Sequence, residues 1–324
     1  MQKDCAKYYT KEIYMRKFII LPDVTCDMSE EMREYFHVED YIRGHVHIGE
    51  KAIATTLDWK EISHKEFYGA LSDKKVEISS AAASPEEYYQ AFKKYVEQGY
   101  DVLSMSISST ISGTYSIAVV SANRVKEEYP DANIYCLDTK RMSGSFGLLV
   151  AYAYELQAAG KTFEEVIAWL EENKNRVHQM GPIDDLSFIA RRGRISKGKA
   201  FMGNLVGVKP MGDSNEEGYV TVLAKVKGIK KALDATVAYV KSVASNVEEQ
   251  YLFLLHSDRE EYALTLKEKL EQEIPCKKVF LGDIHSACAT NIGPGMICVY
   301  FLGEPISPEC EKEKQALQNA ILPN

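Results

Sequence analysis

The residues Ser108-Ser109-Thr110-Ile111-Ser112-Gly113-Thr114-Tyr115 crowd hydroxyls into one short turn. Asp101–Ile107 ahead of it reads as a strand, and Tyr115–Glu128 behind it has helical periodicity. A turn between a strand end and a helix start offers free backbone amides and the positive end of a helix dipole. Both favour an anion. Serine and threonine hydroxyls add neutral donors without burying a charge, so a carboxylate suits the place. A second junction of the same kind, Asp138-Thr139-Lys140-Arg141-Met142-Ser143-Gly144, follows the strand Asn133–Leu137. The plainer alternative is that Ser112 and Thr114 only cap a helix while Gly113 permits the turn.

The elements around these turns repeat one scheme. Lys17–Leu21 reads as a buried strand, and Ser29 heads a short amphipathic helix over Glu30–Phe36. His45–Ile48 and Lys51–Ala54 form a hairpin across Gly49-Glu50. Ser84-Pro85-Glu86-Glu87 combines an N-cap, a first-turn proline and a capping-box glutamate, so a helix runs from there to about Glu97. A helix then follows Gly144 as far as Ala159, and Thr162-Phe163-Glu164-Glu165 opens another. Strands alternating with helices imply right-handed crossovers and a parallel sheet, hence a doubly wound α/β domain over residues 17–176 after an N-terminal tail at 1–16. Beyond it, strands at His178–Ile183, Leu205–Lys209, Tyr219–Ala224, Tyr251–Leu255, Lys277–Leu281 and Met296–Phe301, with helices at Ile229–Ser245 and Glu260–Glu273, suggest a C-terminal α/β or α+β domain over 177–324. Gly212–Gly218 reads as a turn.

A chain of 324 residues exceeds one ordinary core, which agrees with two domains and leaves room for a buried ligand. With 45% apolar and 27% charged residues the composition is that of a globular protein. A formal charge of −8 argues against general affinity for nucleic acid or anionic lipid surfaces. No apolar run approaches the ~20 residues of a bilayer span and the start lacks a secretory h-region, so no stable membrane insertion and a cytoplasmic location are expected. Seven scattered cysteines without a CxxC pair read as reduced thiols. His37, His45, His47 and His64 have no metal-type spacing, so no metal and no catalytic group are expected. Walker, HExxH and GxSxG motifs are absent.

Four ordered blocks resemble the DegV family of bacterial fatty-acid-binding proteins. Ile107–Tyr115 is similar to its SSxxSGTY block, Asp185–Ser196 to its DLxYLxxGGRIS block, Leu205–Pro210 to LLxIKP, and Gly293-Pro294-Gly295 to a late GPG. The resemblance implies that a long-chain fatty acid is the bound ligand, with no other cofactor, its acyl chain in a buried tunnel and its carboxylate at a cleft. It implies carboxylate binding by Ser112 and, by alignment at Pro85-Glu86-Glu87-Tyr88, by Ser80, with Ser109, Gly113 and Thr114 in the same turn. It also implies delivery of the acid to a separate fatty-acid kinase for phospholipid synthesis. Arg191-Arg192-Gly193-Arg194 has two readings: arginines on helix-terminal carbonyls, or groups over the cleft for an acyl phosphate or a partner. Arg194 matches the arginine of GGRI. The sequence departs from the family pattern at Val24, where a serine is usual, at Asn291, where a histidine is usual, and at Lys225-Val226-Lys227-Gly228, where an arginine is usual. The competing readings are a lipid-sensing regulatory or interaction protein and a phosphoryl- or acyl-transfer enzyme.

Overall fold

In the computed structural model, which describes residues 17–195 and 207–322, the first half of the chain runs β1 (Phe18–Pro22), α1 (Glu30–Tyr35), β2 (His45–Ile48), β3 (Lys51–Ala54), α2 (His64–Ser72), β4 (Ile78–Ala81), α3 (Pro85–Val96), β5 (Asp101–Ser106), α4 (Thr114–Glu128), β6 (Ile134–Asp138), α5 (Ser143–Ala158) and α6 (Phe163–Asn173). Strands β1, β5 and β6 pair in parallel with β5 in the middle. All of β5 is buried, as a parallel strand covered on both faces must be. Tyr88 and Phe92 of α3 and Ala118, Ala122 and Val125 of α4 cover one face, while α5 covers the other. The doubly wound arrangement is therefore present. The Ser84–Glu87 and Thr162–Glu165 capping boxes both form and start α3 and α6.

A separate three-stranded antiparallel sheet, β3-β2-β4, leans on this domain. Its hairpin is the expected one. Strand β4, which carries Ser80, goes beyond the sequence expectation, as does α2, although Ser63 and Glu66 make a complete capping box at its start.

The second half runs β7 (Val177–Met180), α7 (Ser187–Arg191), β8 (Val208–Ser214), β9 (Val220–Lys227), α8 (Ile229–Val243), β10 (Tyr251–His256), α9 (Glu260–Glu273), β11 (Lys278–Asp283), α10 (Ser286–Ile292), β12 (Ile297–Leu302) and α11 (Glu311–Ile321). Its main sheet has the order β11-β10-β12-β7, parallel only between β10 and β11. Strands β8 and β9 form a hairpin. Of the expected strand Leu205–Lys209, Val208 and Lys209 open β8, which continues through Gly212-Asp213-Ser214, so the turn narrows to Asn215–Tyr219. Residues 1–16, the start of that strand and Ser196 lie outside the described residues. Among the described residues, no helix is long and apolar enough to cross a membrane.

Helix α5 joins the two halves. Its sixteen residues include eleven buried ones on all sides, so it is a core helix rather than an amphipathic surface one. It packs on β1 and also on β7, β10 and β12. Gly144 makes the second contact close: a Cβ there would overlap the Tyr300 ring and stand 2.9 Å from Leu255 Cδ1. Arg141, fully buried just ahead of this helix, donates to the carbonyl of Lys174 at 2.7 Å, to Asn175 Oδ1 at 2.7 Å and to the carbonyl of Asn215 at 3.2 Å. The loop after β6 is thus tied to the β8–β9 hairpin.

Candidate functional site

A cavity lies where the parallel sheet, the small antiparallel sheet and the C-terminal sheet meet. It offers about 150 Å³ to the centre of a water-sized sphere, on the order of ten times the space a single water needs. Its wall is chiefly apolar, with Ile107, Ile111, Ile183, Ile189, Val220 and Val222 among the lining. Five polar side chains expected from the sequence line it as well: Ser80, Ser112, Thr114, Arg194 and Asn291.

These five come from four places in the chain and are linked in small groups. Asn291 Nδ2, on α10, donates to Ser80 Oγ on β4 at 2.9 Å. Ser112 Oγ and Thr114 Oγ1 share a hydrogen bond of 2.8 Å. Arg194 Nε donates to the carbonyl of Ile111 at 3.2 Å, which places its guanidinium beside the same turn. Burial, reinforced by the Arg192 guanidinium, lowers the Arg194 pKa, yet arginine stays charged. Helix α4 starts at this turn with Gly113 as N-cap and no side-chain cap bond, so its first amides are not all satisfied within the helix. The arrangement can hold an anionic oxygen group by neutral donors, one guanidinium and a helix start.

The same turn also contains residues that do other work. Ser109 does not line the cavity: its Oγ donates to Asp138 Oδ2 at 2.5 Å and its amide to Asp138 Oδ1 at 3.0 Å, with Lys140 Nζ 3.0 Å from the hydroxyl. Gly113 is exposed and also lies outside the lining. Thr110 Oγ1 donates to the carbonyl of Glu217 at 2.5 Å. Gly218 packs so closely on this stretch that a Cβ would overlap Ser108 Oγ, and its φ of 92° disfavours a side chain independently. The front of the turn therefore docks the β8–β9 hairpin, and its back faces the cavity. In the second junction, Ser143 Oγ donates to Asp27 Oδ2 at 2.7 Å and Ser145 Oγ to the carbonyl of Met142 at 2.6 Å. Its hydroxyls are already engaged.

The arginine group divides similarly. Arg191 follows the helix-end reading: its Nε donates to the carbonyl of Ser187 at 3.2 Å and its guanidinium lies over Phe188. Arg192 reaches the carbonyl of Ile78, at the start of β4. Only Arg194 reaches the cavity wall. Lys225 and Lys227 are exposed on β9.

Other lining residues go beyond those expected. Asp23 is buried and accepts bonds from the amide of Thr25 at 2.8 Å, the amide of Ile107 at 2.9 Å and the Thr25 hydroxyl. Burial raises its pKa to about 6, against the lowering effect of those bonds and with a further push from Asp27. Its neighbour Val24 presents an apolar side chain to the cavity. Tyr88, Gln179, Cys288, Cys298 and Tyr300 line it too. Burial pushes the Cys288 and Cys298 thiols up, away from the thiolate form. The sequence holds no cue for Gln179 or Tyr300, since each sits inside an ordinary strand. Outside the cavity, His64 and His256 lie 3.6 and 3.5 Å from Asp283 Oδ1, and Trp59 donates to Asp283 Oδ2 at 3.1 Å. His64 is thus packed against the C-terminal sheet.

The DegV family pattern matches residues 17–304. A DegV domain-containing protein of Clostridium perfringens, CPE0026, is 33% identical over 294 residues, covering 91% of this chain and 100% of that protein. Among solved structures, a DegV family protein from Thermus thermophilus described by its fatty acid binding is 25% identical with a TM-score of 0.79, covering 89% of this chain and 100% of its own. DegV, a fatty acid binding protein from Bacillus subtilis, is also 25% identical, with a TM-score of 0.76 over 89% of this chain and 100% of its own. A family pattern over most of the chain and a full-length relative at this identity, on a fold shared over most of its length, mean that this chain belongs to the DegV family.

Proposed function

We propose that this protein binds a long-chain fatty acid without chemistry, the acyl chain in the cavity and the carboxylate at Ser80, Ser112, Thr114, Asn291 and Arg194. The observation that carries the reading is a cavity whose wall is mainly apolar but whose polar lining includes two hydrogen-bonded pairs and a guanidinium beside a helix start. The fatty acid binding of the Thermus thermophilus and Bacillus subtilis relatives supports it.

Burying each methylene contributes about 0.8 kcal/mol. A chain of some fourteen methylenes would gain roughly 11 kcal/mol before the cost of ordering it, so tight binding needs little from the head group. The head-group donors then act mainly to fix the end of the chain. Asn291 does not titrate, and its amide, which donates to Ser80 Oγ and to the carbonyl of Ala287, leaves the Ser80 proton free for the carboxylate equally across neutral pH, unlike a histidine. The wall thiols are held protonated by burial, which suits a carrier rather than a nucleophile.

Ser80 is exposed while also lining the cavity. A carboxylate held there would be open to a second protein, which supports presentation to a separate fatty-acid kinase. Gentle denaturation followed by mass spectrometry should release a fatty acid from the purified protein. Protein that is consistently empty and takes up neither oleate nor palmitate would overturn the proposal.

A further inference from the structure

Gln179 lies on β7 with 7% of its surface exposed, and it lines the cavity. Its backbone is held firmly: its amide donates to Asp213 Oδ1 at 2.9 Å, and Asp213 also binds His178 Nδ1 at 2.8 Å and the Tyr239 hydroxyl at 3.1 Å. Its side-chain amide, by contrast, makes no hydrogen bond among the described residues. A carboxamide has two donors and an acceptor, and leaving such a group buried and unpaired costs about 1–3 kcal/mol. A methionine or leucine would fill an apolar wall without that cost. The position therefore has something to bind.

The residue opposite it is Tyr300. The β12–β7 register pairs Tyr300 with Gln179, so both side chains leave the same face of the sheet. Both line the cavity. The Tyr300 hydroxyl has weak partners, Ser143 Oγ at 3.5 Å and the Cys298 thiol. Neither side chain bonds to the head-group residues Ser80, Ser112, Thr114, Arg194 or Asn291. The wall of the acyl chamber thus carries a second, smaller polar spot on the C-terminal sheet.

We propose that this spot selects an oxygenated acyl chain: Gln179, assisted by Tyr300, binds a hydroxyl carried along the chain of a hydroxy fatty acid. The inference rests on the fatty-acid reading of the same cavity. The hydroxyl would accept from the Gln179 Nε2 amide and donate to its Oε1 or to the Tyr300 oxygen. A saturated chain leaves the amide unpaired. A chain with its hydroxyl at the matching carbon satisfies it.

The test uses the full chain stripped of lipid and a displacement assay with a fluorescent fatty acid. Stearate is compared with a panel of monohydroxystearates whose hydroxyl stands at successive carbons. Wild-type protein is expected to bind one or two adjacent isomers at least as tightly as stearate. Gln179→Met should weaken those isomers roughly tenfold relative to stearate, the equivalent of one hydrogen bond. Tyr300→Phe should reduce the same preference to a smaller degree and provides a second variant if the first folds poorly.

If every hydroxy acid binds more weakly than stearate and neither variant alters the order, a water satisfies Gln179 and the inference falls. It falls likewise if Gln179→Met weakens stearate and the hydroxy acids alike. Failure of wild-type protein to bind stearate or any panel member would sink the fatty-acid reading itself, a different result from loss of isomer preference.

Discussion

Asp23 should make this protein less stable as pH rises through the weakly acidic range. Its pKa lies at about 6 in the folded protein because burial outweighs the bonds from Thr25 and Ile107. Unfolded, it titrates near 3.8, as an ordinary aspartate does. Between those values the folded state binds more protons than the unfolded one, so stability falls with rising pH over that window and levels off above it. The shift of about 2 units corresponds to roughly 3 kcal/mol when fully expressed. Asp40, Asp138 and Asp184, whose pKa values are lowered in the folded state, act in the opposite sense: their contribution is present above the usual aspartate range and is lost as pH falls below it. A difference against Asp23→Asn removes them. The variant keeps an acceptor for Thr25, but its NH₂ would face the Ile107 amide, a pH-independent cost of about 1–3 kcal/mol. Urea unfolding of the lipid-free protein from pH 4 to pH 8 should therefore show the variant well below wild type at pH 4, with the gap closing by about 2–3 kcal/mol by pH 7. A gap that stays constant, or widens with pH, would refute the assignment of a protonated buried Asp23.

Ser112→Ala should weaken fatty-acid binding by about 1–3 kcal/mol with the unfolding midpoint nearly unchanged, whereas Ser109→Ala should do the reverse, since Ser109 serves Asp138; isothermal titration and thermal denaturation separate the two, and equal effects on binding would remove Ser112 from the site. Gly144→Ala should destabilise the fold by about 1–3 kcal/mol through overpacking against Tyr300 and Leu255, and a urea midpoint equal to wild type would show that the interdomain contact yields readily. Gly218→Ala, strained by its φ and by its approach to Ser108, should lower fatty-acid affinity although it lines no part of the cavity; lost stability with unchanged affinity would show that the docked hairpin does not support the head-group turn.

Much of the framework is legible in the sequence because local signals and tertiary packing agree there. The Ser84 and Thr162 caps start helices where expected, and the apolar run at Phe18 is a buried strand. Strand β4 is hidden because Ile78-Ser79-Ser80-Ala81 has small, weakly β-forming residues; it lies at a sheet edge and exists through pairing with β2. Helix α2 is readable in principle from Ser63, Glu66, Phe67 and Leu71. The site is legible as a set of residue types. Ser112, Thr114, Ser80, Arg194 and Asn291 do converge, but nothing local distinguishes Ser109 from Ser112, because the difference lies in what folds against each of them.

That distinction bears on how the site is built. Residues Ser108–Thr110 meet Asp138, Glu217 and Gly218, and Ser112 and Thr114, starting only two positions later, meet the cavity. One turn therefore has a docking end and a cavity end. The docking end is reinforced by Arg141, whose guanidinium joins the neighbouring loop to Asn215 in the same hairpin. Short turns with both ends fixed leave few backbone conformations open, so the hydroxyls at the cavity end are held in place. The hydroxyl richness that first suggests an anion site is thus partly structural. Its structural half orders the half that faces the cavity, and the position of Ser112 and Thr114 depends on a hairpin from the other domain.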